Sequence, residues 1–204
     1  MRYRNVPEKY LREIVAKNCF NNERIVNAFA KVFRDRFVDE AFMLSAYEDI
    51  SLPIGFGQTI SKPSTVAFMT YLLGLNDDDT VLEIGTGSGF QTAILSRLCK
   101  KVYTVERISQ LYIRASSILR QMHFLNIFFK IDNGKFGWAK NAPYDKIIIT
   151  AGHTEIPQEL TSQLKEGGLI VMPLKGKITV VQKINGSLDI IDSNKSCEFV
   201  NFVE

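Results

Sequence analysis

Cysteine and histidine are scarce in this chain, with three and two residues among 204. Cys19, Cys99 and Cys197 are odd in number and far apart, and no Cys-x-x-Cys pair occurs. With only His123 and His153 beside them, no structural zinc site is expected and no metal is assigned. No run of about 18 uncharged apolar residues exists, which argues against a membrane-spanning helix. No apolar core follows the N-terminal stretch Met1 to Glu8, so no signal peptide is expected and the cytoplasm is the expected compartment. A surplus of one charge is missing too. The net charge is +3, and Lys and Arg are scattered among acids rather than gathered on a basic face. Neither nucleic acid nor a membrane is therefore an expected partner. Internal repeats and low-complexity segments are absent.

What is present is ordinary for a globular protein: 46% hydrophobic, 23% charged and 11% aromatic residues. That balance excludes a mainly disordered chain. At roughly 150 residues per domain, the length argues for one domain over 1–204. Residues 7–17 and 22–33 read as amphipathic helices, with Leu11, Ile14 and Val15 on one face and Ile25, Phe29 and Val32 on another. Residues 34–61 hold Pro53, Gly55 and Gly57 and read as an irregular loop. Helices are then expected over 64–73, 90–99, 108–122 and 157–164, the last stopped by Gly167-Gly168. Strands are expected over 80–84, 101–106, 127–131, 145–151, 169–172, 178–184, 188–191 and 199–203. Ile147-Ile148-Ile149 is the continuous apolar run of a strand covered on both faces. Asn185-Gly186 suits a hairpin turn. Strands alternating with helices imply an α/β fold: a parallel sheet with helices on both faces, extended by an antiparallel C-terminal edge.

The most informative stretch runs from Val81 to Thr92, a strand, a glycine loop and a helix start. Its Gly85-Thr86-Gly87-Ser88-Gly89 spacing differs from the Gly-x-Gly-x-x-Gly of dinucleotide binders, which argues against a nicotinamide enzyme. Glycines there let a ligand approach closely, and the helix that follows offers free N–H groups to a carboxylate or phosphate. A plain tight turn would need the same glycines. Glu106 ends the next strand about 20 residues on, where a carboxylate can accept both hydroxyls of a ribose; a surface acid is the alternative. Glu83 lies inside an apolar strand, where burial is costly without a partner, and a cationic ligand group would explain it. A ligand with a carboxylate, an ammonium, a ribose and no phosphate fits S-adenosylmethionine.

The glycine loop resembles that of class I S-adenosylmethionine-dependent methyltransferases. The stretch from Pro53 to Pro63, with Gly55-Phe56-Gly57-Gln58-Thr59-Ile60-Ser61, resembles the signature of the protein-L-isoaspartate O-methyltransferases. Similarity continues through Leu82 to Ala93, Val105-Glu106-Arg107, Ala142 to Ala151, Gln163 to Gly168 and Val200 to Val203. The resemblance implies a Rossmann-like methyltransferase fold: a seven-stranded, mostly parallel sheet with added N-terminal helices. It divides the chain into N-terminal helices and active-site loop (1–61), α/β cofactor-binding core (62–174) and C-terminal strands (175–204). It implies a monomer that methylates the α-carboxyl of L-isoaspartyl residues in damaged proteins and peptides, releasing S-adenosyl-L-homocysteine.

The same resemblance assigns roles. Ser61 is the catalytic residue, its hydroxyl orienting the substrate carboxylate, although a Ser before Lys62-Pro63 also suits a helix cap. Thr59, Ile60 and Val203 shape the acceptor pocket. Glu83, Gly85, Thr86, Gly87, Ser88, Gly89 and Gln91 surround the methionine part of the cofactor. Glu106 holds the ribose, and Asp132, Asn133 and Gly134 meet the adenine. Two departures stand out. Asn133 replaces the family's usual Asp, and Phe56 stands where a His is common. They leave room for a carboxyl methyltransferase with a different acceptor, or for a non-catalytic relative with a weakened cofactor site.

Overall fold

The computed structural model describes residues 6–196 and 199–200. The N-terminal part begins with a helical segment, Tyr10–Ala16, wound in wide π-type turns. Helix α1 (Glu23–Ala30) follows, and the Asn22 side chain caps it by accepting from the Ile25 N–H at 3.2 Å. The stretch expected to be irregular carries more order than its Pro and Gly content suggests. It contains two 3₁₀ turns, Arg34–Phe37 and Glu40–Ser45. A hairpin of β1 (Leu52–Gly55) and β2 (Gln58–Ile60) closes it.

Helix α2 (Pro63–Leu73) starts with Pro at its first turn and ends on Gly74 in a left-handed conformation. The alternating elements follow as β3 (Thr80–Ile84), α3 (Phe90–Ser96), β4 (Lys101–Glu106), α4 (Ser109–Gln121), β5 (Ile127–Ile131) and β6 (Tyr144–Ile149). The chain continues through α5 (Gln158–Thr161), β7 (Leu164–Leu174), β8 (Lys177–Ile184) and β9 (Ser187–Ser196). Strands β3 to β9 form one seven-stranded sheet in the order β5-β4-β3-β6-β7-β8-β9. It is parallel from β5 through β7, and β8 and β9 extend it antiparallel. Asn185 and Gly186 make the β8–β9 turn, both at positive φ, as a two-residue hairpin requires.

The sheet buries both faces, and side chains alternate between them with the period of two. Val81, Val102, Ile148 and Val171 belong to one core with the buried side chains of α2, α3 and α4, and α1 packs in turn against α2 and α3. Leu82, Ile84, Val105, Ile147, Ile149, Ile170 and Met172 pack on the other face with Leu160 of α5, and Trp138 lies against them. The three isoleucines of β6 are fully buried, because β6 pairs with β3 and β7 and is covered above and below.

The C-terminal third departs from expectation. The helix expected over 157–164 is cut to Gln158–Thr161, and Gly167-Gly168 do not terminate it. They lie inside β7, where the pairing with β6 jumps from Tyr144–Leu164 to Lys146–Leu169. A Cβ on Gly168 would stand 2.8 Å from Leu164, so the bulge is built around that glycine. Phe199 and Val200, expected to open a final strand, are not in one. Residues 201–203 of that expected strand, including Val203, lie outside the described residues. Among the described residues no helix is long and apolar enough to cross a membrane.

Candidate active site

A deep cavity lies over the carboxyl ends of β3, β4 and β6, where ligands of open α/β sheets bind. Its floor is the loop after β3. Gly85 sits at φ +94, and a Cβ there would collide with the Thr150 hydroxyl oxygen. Thr150 Oγ1 donates toward the carbonyls of Ile84 (3.0 Å) and Gly85 (2.8 Å), tying the end of β3 to the end of β6. Gly89 sits at φ +89, and a Cβ there would stand 3.0 Å from Leu119 of α4. Both positions need glycine for conformation and for space at once.

Glu106, at the end of β4, is nearly buried and reaches under this loop. One carboxylate oxygen accepts from the Gly87 N–H (2.8 Å) and the other from the Ile108 N–H (2.9 Å). A carboxylate offers about four lone-pair sites, so each oxygen keeps capacity toward the cavity. No cation pairs with Glu106 among the described residues.

Glu83 is placed differently. It is fully buried on the sheet face under α3, and it is not on the cavity wall. Its Oε2 accepts from Thr92 Oγ1 (2.5 Å) and Thr104 Oγ1 (2.7 Å), while Oε1 has no partner among the described residues. Thr104 Oγ1 lies 2.6 Å from Thr86 Oγ1, so a polar chain connects Glu83 to the glycine loop. Burial pushes the Glu83 carboxyl up to about 8 from an ordinary value of 4.5, and the two threonine hydroxyls counter only part of that.

The acceptor side is built by the β1–β2 hairpin and the turn into α2. A second cavity adjoins the first here, and Gln58, Thr59, Ser61, Thr65, Thr150, Ala151 and Phe199 line both. Ser61 does not cap α2: Lys62 is the capping position and makes no side-chain bond, and the Ser64 N–H donates to Asp49 Oδ1 at 2.9 Å. The Ser61 hydroxyl has no hydrogen-bond partner among the described residues.

Of the residues singled out from sequence, Thr59, Ile60, Ser61, Gly85, Thr86, Gly87, Ser88, Gln91, Glu106 and Gly134 come together around the deep cavity. Glu83, Gly89, Asp132 and Asn133 are not on its wall. Asp132 pairs with Lys130 at 2.5 Å, and that ammonium holds its carboxyl below the usual range. Asn133 Oδ1 accepts from the Lys135 N–H (3.0 Å) and so caps a short 3₁₀ turn. Thr150, Gln58, Thr65 and Phe199 carry no assigned role in the sequence reading. Two of them left a signal in the sequence: Gln58 stands within the Gly55 to Ser61 signature segment, and Thr150 at the carboxyl end of a strand, where such sites form; Thr65 and Phe199 left none.

A model of the family described as "Protein-L-isoaspartate(D-aspartate) O-methyltransferase (PCMT)" matches residues 5–204. The chain belongs to this family. Similar family members include the protein-L-isoaspartate O-methyltransferase of Photobacterium profundum, 44% identical over 195 residues, or 95% of this chain and 93% of that protein. Protein-L-isoaspartate O-methyltransferase 1 of Pelobacter propionicus is 41% identical over 211 residues, covering 100% of this chain and 98% of its own length. A solved protein-L-isoaspartate O-methyltransferase superposes with a TM-score of 0.86 at 28% identity, over 95% of this chain and 65% of that one. A Plasmodium falciparum structure, titled as a putative family member in complex with S-adenosyl-L-homocysteine, shares the fold with a TM-score of 0.82 at 20% identity, over 98% of this chain and 99% of that one. Phe56 is exposed at the tip of the β1–β2 hairpin at φ +54.

Proposed function

We propose that this chain transfers a methyl group from S-adenosylmethionine to the α-carboxylate of L-isoaspartyl residues in damaged proteins and peptides. The observation that carries the reading is the meeting of two cavities along Thr59 and Ser61, one of them floored by the glycine loop and Glu106. Family membership supports the choice of reaction. When bound, S-adenosylmethionine supplies a methyl group on a sulfonium and leaves as S-adenosyl-L-homocysteine.

The residues present fit that ligand. Glu106 has unused lone pairs for the ribose hydroxyls. Gly85, Thr86, Gly87, Ser88 and Gln91 would hold the methionine part, with Glu83 and Gly89 acting from behind the loop. Gly134, Ile108 and Leu111 offer small and apolar walls for the adenine. Asp132 and Asn133 would serve by shaping the turn that places Gly134.

A substrate carboxylate has an ordinary pKa of about 4 and is ionised at neutral pH, so no strong base is needed. What remains for the protein is to align the acceptor and exclude water. Ser61 would donate its free hydroxyl to the acceptor carboxylate. Thr59, Ile60 and Val203 would border the acceptor. Ile54, Ile60, Val66, Met69 and Leu111 make the apolar walls that keep the site dry. The same reading has the protein acting as a monomer in the cytoplasm, with neither nucleic acid nor membrane as partner.

The test is transfer of labelled methyl to an isoaspartyl peptide, followed by mild base. Label released as methanol is expected, because a carboxyl methyl ester hydrolyses under those conditions. Base-stable label, or none, would refute carboxyl methylation.

A further inference from the structure

Arg34 lies in the stretch that reads as irregular loop, yet its side chain is fully buried. Burying a guanidinium is costly unless its donors are used. Here Nη1 donates to the Ala46 carbonyl (2.6 Å), and Nη2 donates to the carbonyls of Ile50 (3.0 Å) and Ser61 (3.1 Å). Nε has no partner among the described residues. The guanidinium carbon lies 5.8 Å from the ring centre of Phe90, the first residue of α3 after the glycine loop. Arg34 thus touches two turns of the N-terminal part, the backbone of Ser61 and the helix behind the cofactor loop. Burial brings its pKa down to about 10, with Asp49 nearby favouring the charge, so it stays cationic at neutral pH.

We infer that Arg34 is a positioning residue for the acceptor side: by gripping the carbonyls of Ala46, Ile50 and Ser61 it fixes the backbone that presents the Ser61 hydroxyl. The inference rests on the function proposed above. Asp49 completes the grip. It takes the Ser64 N–H, so the corner from Ser61 to Ser64 is held by a cation on one side and a carboxylate on the other. A planar fork suits several carbonyls at once, whereas a lysine ammonium is a single point with movable donors. Lys at this position should keep the charge and lose part of the alignment.

The experiment is a double-mutant cycle with exchange as a second readout. Arg34→Lys should lower kcat toward an isoaspartyl peptide about tenfold, and Arg34→Met about a hundredfold, since misplacement by about an ångström costs that order of rate. Binding of S-adenosyl-L-homocysteine, read by calorimetry, should change by less than about threefold, because the residues on that side keep their bonds. In a Ser61→Ala background the Arg34→Lys loss should vanish, because Arg34 acts through Ser61. Losses that simply multiply, or an Arg34→Lys kcat equal to that of the unmodified protein, would overturn the inference. Hydrogen exchange covers the case in which Arg34→Met does not fold. In Arg34→Lys, amides of residues 46–64 should lose protection while those of β3, β4 and β6 keep it. Unchanged protection in 46–64 would also overturn it. If the unmodified protein methylates no isoaspartyl peptide, the functional reading fails, and exchange still decides whether Arg34 holds this segment.

Discussion

Ser61 carries a hydroxyl that no other described residue uses, on the wall common to both cavities. A hydrogen bond to a charged acceptor is worth about 1.5–3 kcal/mol, so Ser61→Ala should lower turnover about 10- to 100-fold. Calorimetry should find S-adenosyl-L-homocysteine affinity unchanged; an affinity loss with normal turnover would place Ser61 on the cofactor instead. Glu83 makes a different kind of claim. Its folded pKa of about 8 lies above the ordinary 4.5, so the protonated form is the one the fold favours. That contribution is full below about pH 4.5 and is lost as pH rises through about 8. The thermal midpoint of Glu83→Gln should therefore gain on the unmodified protein between about pH 5 and about pH 8. A pH-independent difference would mean Glu83 is not buried as described. The sequence made Glu83 conspicuous as a carboxylate in an apolar strand. It did not identify the partners, because Thr92 and Thr104 reach it from α3 and β4 only after folding. Arg34 was hidden for the same reason, since its acceptors are backbone carbonyls, which leave no mark in a sequence.

At the scale of elements, the parallel core was legible because short apolar runs alternate with helical stretches, although α3 is buried all round rather than on one face. The run Ile147-Ile148-Ile149 required cover on both sides, and it has it. Gly167-Gly168 misled because paired glycines stop a helix and build a bulge equally well, and only the pairing with β6 chooses between them. The hairpin that presents Ser61 was missed as strand because β1 and β2 are four and three residues long, too short for periodicity to register. The glycine loop offers the sharpest test here. Gly85→Ala forces a Cβ against Thr150 in a left-handed backbone, so the end of β3 must shift. Overpacking of this kind costs about 1–3 kcal/mol, to be read by urea denaturation. S-adenosyl-L-homocysteine affinity should fall at least about tenfold, which corresponds to about 1.4 kcal/mol. Normal affinity would mean the loop does not touch the ligand.

For the whole molecule, the sheet divides the work between its two faces. Helices α2 to α4 cover the face that buries Glu83, with α1 packed against α2 and α3, while α5 and the Trp138 segment close the other. The cofactor cavity opens at the carboxyl ends of β3, β4 and β6, and the N-terminal part brings Ser61 to the same edge. Ligand binding should therefore stabilise the fold as a unit. At about a hundred times its dissociation constant, S-adenosyl-L-homocysteine should add about 2.7 kcal/mol, raising Tm by about 5–10 °C. No shift at saturation would argue against the cavity as its site.

The central claim is discrimination between two linkages of one residue. Its most direct test uses two peptides of identical sequence, one with an L-isoaspartyl and one with a normal aspartyl residue, each offered with labelled S-adenosylmethionine. Methylation of the isoaspartyl peptide alone is the expected result. Equal methylation of both peptides, or of the normal one alone, would contradict the reading of this site as one for isoaspartyl repair.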